Sequence, residues 1–224
     1  LPPDQTLDAW RIAAGLDFTY ELAPVQYLGD QTFSDRRVVY RSDTLAPISV
    51  VSNQYHPLQP GDVMEFFRDL TVEHGFTMET AGSLKGGALV WALAKTGATF
   101  ALGGDVTRQY VLLMTSGDTT VATRALLTSI RVVCMNTLIA ALRQEAASLV
   151  VANHSTRFDA RAVKANLGLV AGTWEEFATP ADRMASRPLK ELDAQEPIIA
   201  TFGDPDAPAD KQPNLRAMGQ VIDL

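Results

Sequence analysis

Cysteine, histidine and positive charge are all scarce in this chain of 224 residues. The single cysteine, Cys134, excludes an internal disulfide framework and a cysteine-rich zinc module, so we expect a reducing, cytoplasmic compartment. No apolar run reaches the roughly 18 residues of a membrane helix, and the first residues do not resemble an export signal. The formal charge of −7 repels phosphate backbones and anionic lipid at long range. We therefore predict no membrane contact, and any nucleic-acid site must be a local basic patch.

The composition that remains is that of an ordinary globular protein. Apolar residues make up 46% and charged residues 20% of the chain, far from the profile of disordered sequences. We predict one α+β domain over residues 1–187. Proline and aspartate accumulate in residues 188–224, which predicts an irregular tail. We also expect that the sequence is a segment of a longer protein that continues beyond this tail.

The first third of the chain combines short helices with strands. A capped helix is predicted around Leu7 and Trp10, with Ile12 on its apolar side. An alternating strand follows and is expected to stop at Pro24. Residues 38–41 and 48–51 have the pattern of a β-hairpin. A helix beginning near Pro60 is predicted to carry a capping box formed by Asp62 and Glu65, with Gly75 as its stop.

The middle of the chain predicts an antiparallel meander followed by a long helix. Apolar runs separated by glycine-rich turns predict the strands, and they cover residues 76–81, 88–94, 110–114 and 119–128. Helical spacing over residues 131–147 then predicts an amphipathic helix that buries one apolar stripe, formed by Val132, Leu138, Ile139 and Leu142. A short strand at 149–151 and two helices, 158–170 and 173–185, complete the pattern. The fold class is therefore α+β, an antiparallel β-meander with helices packed on one face.

Two motifs resemble a known family. The first is the run Tyr40-Arg41-Ser42-Asp43 followed by the segment from Val50 to Gln59. The second is the segment from Arg131 to Leu138. In this order and spacing they resemble the phage/plasmid-like family called domain of unknown function 932. The resemblance implies a phage, prophage or plasmid setting and no established reaction. The helix, meander and crossing helix are also similar to the architecture of single-strand annealing recombinases, an analogy of fold alone that transfers no site residue.

No catalytic, cofactor or metal motif stands out in the sequence. Cys134 lies near a predicted helix start and next to basic charge, which can activate a thiol. Its apolar neighbours instead favour a small buried core residue, and we predict a structural role. The histidines are too scattered for a zinc motif. His154, among polar neighbours, is the best candidate of the three for a functional role, and a structural role is the alternative. The glycine-rich segments lack phosphate-loop endings and predict turns, so we expect no cofactor.

Basic residues concentrate in one stretch of the second half. Only Glu145 and Asp159 oppose them between residues 131 and 164, and the cluster consists of Arg131, Arg143, Arg157, Arg161 and Lys164. The last three are spaced by four and three residues, so one helix face could present them to phosphate groups. The alternative is a solvated face paired with neighbouring acids. Asn136 is a further candidate, and we favour a structural role for it as a helix cap or a tie to the sheet.

Two functions from different classes remain open. The first is a non-enzymatic, nucleic-acid-associated accessory of recombination or replication that binds single-stranded DNA and forms a homo-oligomer. The second is a regulator that binds a small molecule or a protein partner, such as an anti-defence factor, or an uncharacterised enzyme. The acidic net charge and the lack of aromatic-rich basic strands favour the second. No catalytic motif favours an enzyme.

Overall fold

The computed structural model describes residues 5–102, 105–143 and 149–168. The helices are α1 Leu7–Ala13, α2 Pro60–Glu65, α3 Arg68–Val72, α4 Met135–Arg143 and α5 Ala160–Asn166. The strands are β1 Tyr20–Tyr27, β2 Gln31–Arg41, β3 Pro47–Ser52, β4 Thr77–Leu84, β5 Leu89–Leu102, β6 Asp105–Ser116, β7 Thr123–Thr128 and β8 Val150–Ala152. None of the helices in this described part has the length and apolarity to span a bilayer.

The described residues all belong to the first of two units into which the chain divides, Leu1–Ala178 and Thr179–Leu224. The predicted domain boundary after residue 187 lies outside the described residues and stays a prediction. The same holds for the predicted helix at 173–185 and for the predicted tail at 188–224.

The first sheet has three strands in the order β1-β2-β3, and each neighbouring pair is antiparallel. This confirms the predicted hairpin between β2 and β3. The prediction that the preceding strand stops at Pro24 was wrong, because β1 continues to Tyr27 through a register shift between Pro24 and Val25. Proline is tolerated there because β1 is an edge strand, so no ladder hydrogen bond needs its missing N–H.

The second sheet is a five-stranded antiparallel meander, β4-β5-β6-β7-β8. It confirms the predicted meander and the α+β class, and β8 confirms the predicted short strand. The turn between β4 and β5 contains Gly86 and Gly87, both with positive φ, and glycine adopts this backbone conformation without strain.

Both faces of the meander are buried, because successive side chains of a strand point to opposite faces. One face carries Val90, Ala92 and Leu113 and joins a core that includes residues of α1, α2, α3, α5 and the first sheet. The other face carries Trp91, Leu93, Leu112 and their neighbours and packs against α4. Helices therefore contact both faces of the meander, α4 on one and the other helices on the opposite one, whereas the sequence predicted helices on one face.

The helix predicted from Pro60 is two short helices, α2 and α3, interrupted at Phe66 and Phe67. Both rings are buried in the core and meet edge to face at 5.1 Å between centroids. The predicted capping box is absent. The N-cap of α2 is Gln59, without a side-chain cap bond, and the carboxylate of Glu65 accepts from Arg68 instead.

Helix α4 begins later than its pattern predicts, at Met135 instead of residue 131. The hydroxyl oxygen of Thr137, the third residue of α4, reaches back and accepts from the amides of Val133 and Cys134, which fixes the chain just before the helix in the way that the N3 side chain of a capping box does. Val132 and Leu138 are buried as predicted, but Ile139 is 40% exposed. Residues 144–147 of the predicted helix lie outside the described residues.

The other two helices also depart from their patterns. In α1 Trp10 is buried, whereas Ile12, expected on the apolar side, is 61% exposed. Helix α5 begins at Ala160 instead of residue 158, because the Asp159 side chain accepts from the amides of Arg161 and Ala162 and caps it.

Candidate functional site

A cleft of about 640 Å³ lies beside β1. Its walls come from three parts of the chain: the start of β1 at Tyr20, Glu21 and Leu22; the segment from His56 to Gln59 with α2; and the approach to α5 from Arg157 to Ala160. This volume falls within the range of about 300–1,000 Å³ that is typical of ligand sites. The cleft is therefore the candidate functional site.

The side chain of Gln59 occupies one end of the cleft as if it were a neighbouring strand. Its Oε1 accepts from the amide of Tyr20 at 2.8 Å, and its Nε2 donates to the carbonyl of Tyr20 at 3.1 Å. Both hydrogen-bonding groups that Tyr20 presents at the edge of the sheet are thereby satisfied. This pairing holds the segment before α2 against β1.

The floor of the cleft is apolar. Leu58 and Phe66 are buried, and Phe158 is half-buried. The rings of Phe66 and Phe158 lie 6.3 Å apart between centroids. Aromatic floors of this kind supply most of the contact area in ligand sites.

The rim of the cleft is mostly acidic. Glu21, Asp62 and Glu65 line it, against the single guanidinium of Arg157. Arg68 donates to Glu65 at 2.6 Å and thereby holds the pKa of Glu65 below its usual range. With Glu65 paired to Arg68, the rim has the carboxylates of Glu21 and Asp62 against the guanidinium of Arg157, and this excess of one negative charge favours a ligand that carries positive charge.

Lys164 lies under this region instead of on an exposed helix face. It is buried, its Nζ lies 4.9 Å from the centroid of the Phe66 ring, and it forms an ion pair with Asp69. Arg157 precedes α5 and is not part of it. The prediction that Arg157, Arg161 and Lys164 share one exposed helical face was therefore wrong. Arg157 and Arg161 are both exposed.

The remaining two members of the basic cluster belong to the opposite side of the meander. Arg131 directly precedes the α4 region and forms an ion pair with Glu79, which also pairs with Lys95. Arg143 is exposed at the end of α4. Since α4 and α5 pack on opposite faces of the second sheet, the structure does not bring the five basic residues together.

His154 joins three parts of the fold. Its ring lies 4.9 Å from that of Tyr55, and its Nδ1 and Nε2 each lie 3.4 Å from a backbone carbonyl oxygen, of His56 and Val121 respectively. The amide of His56 also donates to the carbonyl of His154 at 2.8 Å. These contacts connect the segments that contain Tyr55, Val121 and His154, which is a structural role. A functional role of His154 stays a prediction. Among the side chains that the structure describes, no three potential ligands are grouped to hold a metal ion.

Cys134 and Asn136 are the two remaining candidates of the second motif, and the structure places both of them on the surface. Cys134 is exposed, so the prediction of a buried core residue was wrong. Hydrogen bonds from the amide and hydroxyl of Thr137 and from the amide of Asn136 lower the pKa of the Cys134 thiol. Asn136 itself is exposed on the first turn of α4. The cap comes from Thr137, and the tie to the sheet comes from the Thr80 hydroxyl, which donates to the carbonyl of Val132 at 2.6 Å.

The first motif joins the two sheets. Arg41 makes two hydrogen bonds to Asp43, donates to the carbonyl of Gly86 and lies 3.8 Å above the Phe18 ring. The guanidinium lowers the pKa of Asp43 to about 2. The contact leaves no room for a larger residue at Gly87, where an added Cβ would lie 2.6 Å from Arg41 Nη1. The Tyr40–Asp43 part of this motif is therefore structural.

Two buried tyrosines complete the junction between the sheets. The Tyr20 hydroxyl donates to the carbonyl of Gly87 at 2.6 Å, and the Tyr55 hydroxyl donates to the carbonyl of Ser116 at 2.7 Å. Burial raises the pKa of both phenols above its usual value, so both hydroxyls stay protonated donors well into the alkaline range. Sequence reasoning missed this junction and the cleft, and the only signal for either was the Tyr55–Gln59 segment of the first motif.

The family model described as domain of unknown function (DUF932) matches residues 47–224. The chain therefore belongs to this family, which confirms the resemblance. The matched region includes His56–Gln59, α2 and α5 of the cleft, whereas β1 precedes it. No curated protein and no solved structure matches the sequence.

Proposed function

We propose that this protein is a non-enzymatic binding module that holds its ligand in the cleft beside β1. The observation that carries the proposal is the cleft itself, which combines an apolar floor with a charged rim at a volume suited to a ligand. A cytoplasmic location and the phage, prophage or plasmid setting implied by the family resemblance belong to the same proposal.

The groups that line the cleft support binding more than catalysis. Glu65 is held by Arg68, Glu21 accepts from the hydroxyl of Thr19, and Gln59 is used by the backbone of Tyr20. A catalytic site needs a nucleophile or base within hydrogen-bond reach of a partner that activates it. Glu65, Glu21 and Gln59 instead use their hydrogen bonds to position the walls, whereas the side chains of His56, Asp62 and Arg157 make no hydrogen bond to the described residues and can contact a ligand.

Filling the cleft tests the proposal. Ala160 lines the cleft at the first position of α5, so Ala160→Trp should occupy the space above the floor. Ala165 lies on the same helix, is exposed and does not line the cleft, which makes Ala165→Trp a matched control. A fragment library screened by saturation-transfer NMR should give ligands that bind wild type and the control but lose binding to Ala160→Trp by at least tenfold.

Thermal unfolding of each variant shows whether Ala160→Trp remains folded. If it does not, competition between fragments and nuclear Overhauser contacts to the Phe158 ring in wild type locate the ligand instead. A screen without cleft ligands, or ligands that bind a folded Ala160→Trp as tightly as wild type, would contradict the proposal.

The nucleic-acid hypothesis retains two residues, Arg157 and Arg161, because both are exposed and no ion pair to either occurs in the described part of the chain. Retention on single-stranded DNA at about 50 mM salt tests it, since phosphate contacts are strongest there. Double substitution of these arginines by glutamate should abolish retention. A wild-type protein that is not retained would leave the cleft proposal as the only one.

A further inference from the structure

The free edge of β1 opens into the cleft. In the three-stranded sheet β1 pairs with β2 on one side only. Its first residues, Tyr20 to Leu22, line the cleft. An edge strand presents unpaired N–H and C=O groups that can pair with another extended chain.

The direction of these groups follows from the antiparallel ladder. The amide of Ser42 donates to the carbonyl of Thr19, so Thr19 bonds toward the β2 side, whereas both backbone groups of Tyr20 are bound on the other side by Gln59. Residues of an antiparallel strand alternate in this respect. The N–H and C=O of Leu22, two residues after Tyr20, therefore point into the cleft.

At Leu22 the outward N–H and C=O of this edge are available for pairing. Two residues before it, both outward backbone groups of Tyr20 are hydrogen-bonded to the side-chain amide of Gln59. Two residues after Leu22, the next outward-facing residue is Pro24, which has no N–H to donate. Leu22 itself is 37% exposed, and no hydrogen bond of the described residues engages its outward groups. Between Tyr20 and Pro24 the edge is thus open to an extended partner at one position, Leu22.

We propose that the ligand of the cleft is a short extended peptide that adds to β1 as a fourth strand. One of its residues donates its N–H to the carbonyl of Leu22 and accepts from the amide of Leu22. The Gln59 side chain makes this same pair of bonds with Tyr20, which shows that the edge has the geometry for an amide partner. This inference rests on the proposed function and names its ligand class.

The walls of the cleft define the side chains of the peptide. Alternate side chains of an extended peptide point to opposite sides, so one set meets the floor formed by Leu58, Phe66 and Phe158. The rim, with more carboxylates than guanidinium groups, favours a lysine or arginine beside that apolar residue. The peptide therefore combines an apolar anchor with basic charge, and an acidic peptide should bind more weakly.

A peptide library with a backbone scan tests the proposal. Acetylated and amidated hexapeptides in a positional-scanning library should bind wild type with preference for an apolar residue and for lysine or arginine. In the best hexapeptide, N-methylation of the residue opposite Leu22 should weaken binding at least tenfold. N-methylation of its immediate neighbours, whose N–H groups point away from β1, should change affinity less than threefold.

Variants of Leu22 give the complementary test. Leu22→Pro removes the donor, and the ladder to β2 does not use that N–H, so peptide binding should fall at least tenfold. Leu22→Ala keeps the donor and measures what loss of the Leu22 side chain does by itself, so Leu22→Pro should bind at least tenfold more weakly than Leu22→Ala. If Leu22→Pro does not fold, the N-methyl scan on wild type decides the question alone.

Three results separate this inference from the proposed function. Binding of fragments without binding of any hexapeptide, or of hexapeptides without one dominant N-methyl position, overturns strand addition and leaves the binding module standing. Selection of acidic hexapeptides overturns the assigned ligand chemistry. Absence of both fragment and hexapeptide binding overturns the two proposals together.

Discussion

Charge reversal at Lys164 should lower the free energy of unfolding, although the sequence pattern predicts an exposed position for this residue. Its ammonium group is buried against Phe66 and paired with Asp69. In Lys164→Glu a carboxylate would replace the ammonium next to an existing carboxylate. Removing one partner of a buried pair costs about 3–5 kcal/mol. Because the Asp69 side chain is 47% exposed, water compensates part of the loss, and we expect about 3 kcal/mol.

The assay is thermal and urea unfolding of three variants. At about 2–4 °C per kcal/mol for a chain of this size, Lys164→Glu should lower Tm by roughly 6–12 °C. Lys164→Met keeps the contact with Phe66 and loses only the charge, so we expect a smaller loss of about 1–2 kcal/mol. Arg161→Glu is the matched control on the same helix. Being exposed and near the helix start, it should stay within about 0.5 kcal/mol of wild type.

The pH dependence gives a second check on the same pair. Partial burial would raise the pKa of Asp69, but the hydrogen bond and charge of Lys164 outweigh it, and the pKa of Asp69 is lowered. A lowered folded-state pKa contributes stability above the unfolded value of about 3.9, and this contribution is lost as pH falls through the folded value. The difference between wild type and Lys164→Met should therefore be constant near neutral pH and shrink below about pH 4. Equal tolerance of Lys164→Glu and Arg161→Glu would refute the buried pair.

Three further predictions concern other parts of the fold. Leu138→Ala should cost about 2–5 kcal/mol in urea unfolding, whereas Ile139→Ala should cost clearly less, because only Leu138 is buried against the meander. Cys134 should react with a thiol reagent at neutral pH at least as fast in the native protein as in urea, since it is exposed and its pKa is lowered; slow native labelling would contradict its exposure. Gly87→Ala should lower Tm more than Gly29→Ala, because both have positive φ but only Gly87 has a guanidinium 2.6 Å from the added Cβ.

Elements whose signal is local could be predicted from the sequence. Period-two alternation and glycine-rich turns defined the meander, and helical spacing located α4 and α5 to within a few residues. Errors at the starts of α4 and α5 arise where one side chain decides: Thr137 contacts the amides that precede α4, and Asp159 caps α5. A helical pattern does not show which polar residue nearby will take the backbone amides.

Only the tertiary structure decided where charged and reactive side chains lie. The five basic residues form one cluster along the chain, yet the meander passes between α4 and α5 and separates them onto opposite faces. Lys164 is buried because Asp69 and Phe66, nearly a hundred residues earlier, meet it there. The cleft likewise joins Leu22, Gln59 and Phe158, which are distant in sequence. Such contacts depend on how sheets and helices pack, and hydrophobic periodicity carries no information about which polar groups that packing brings together.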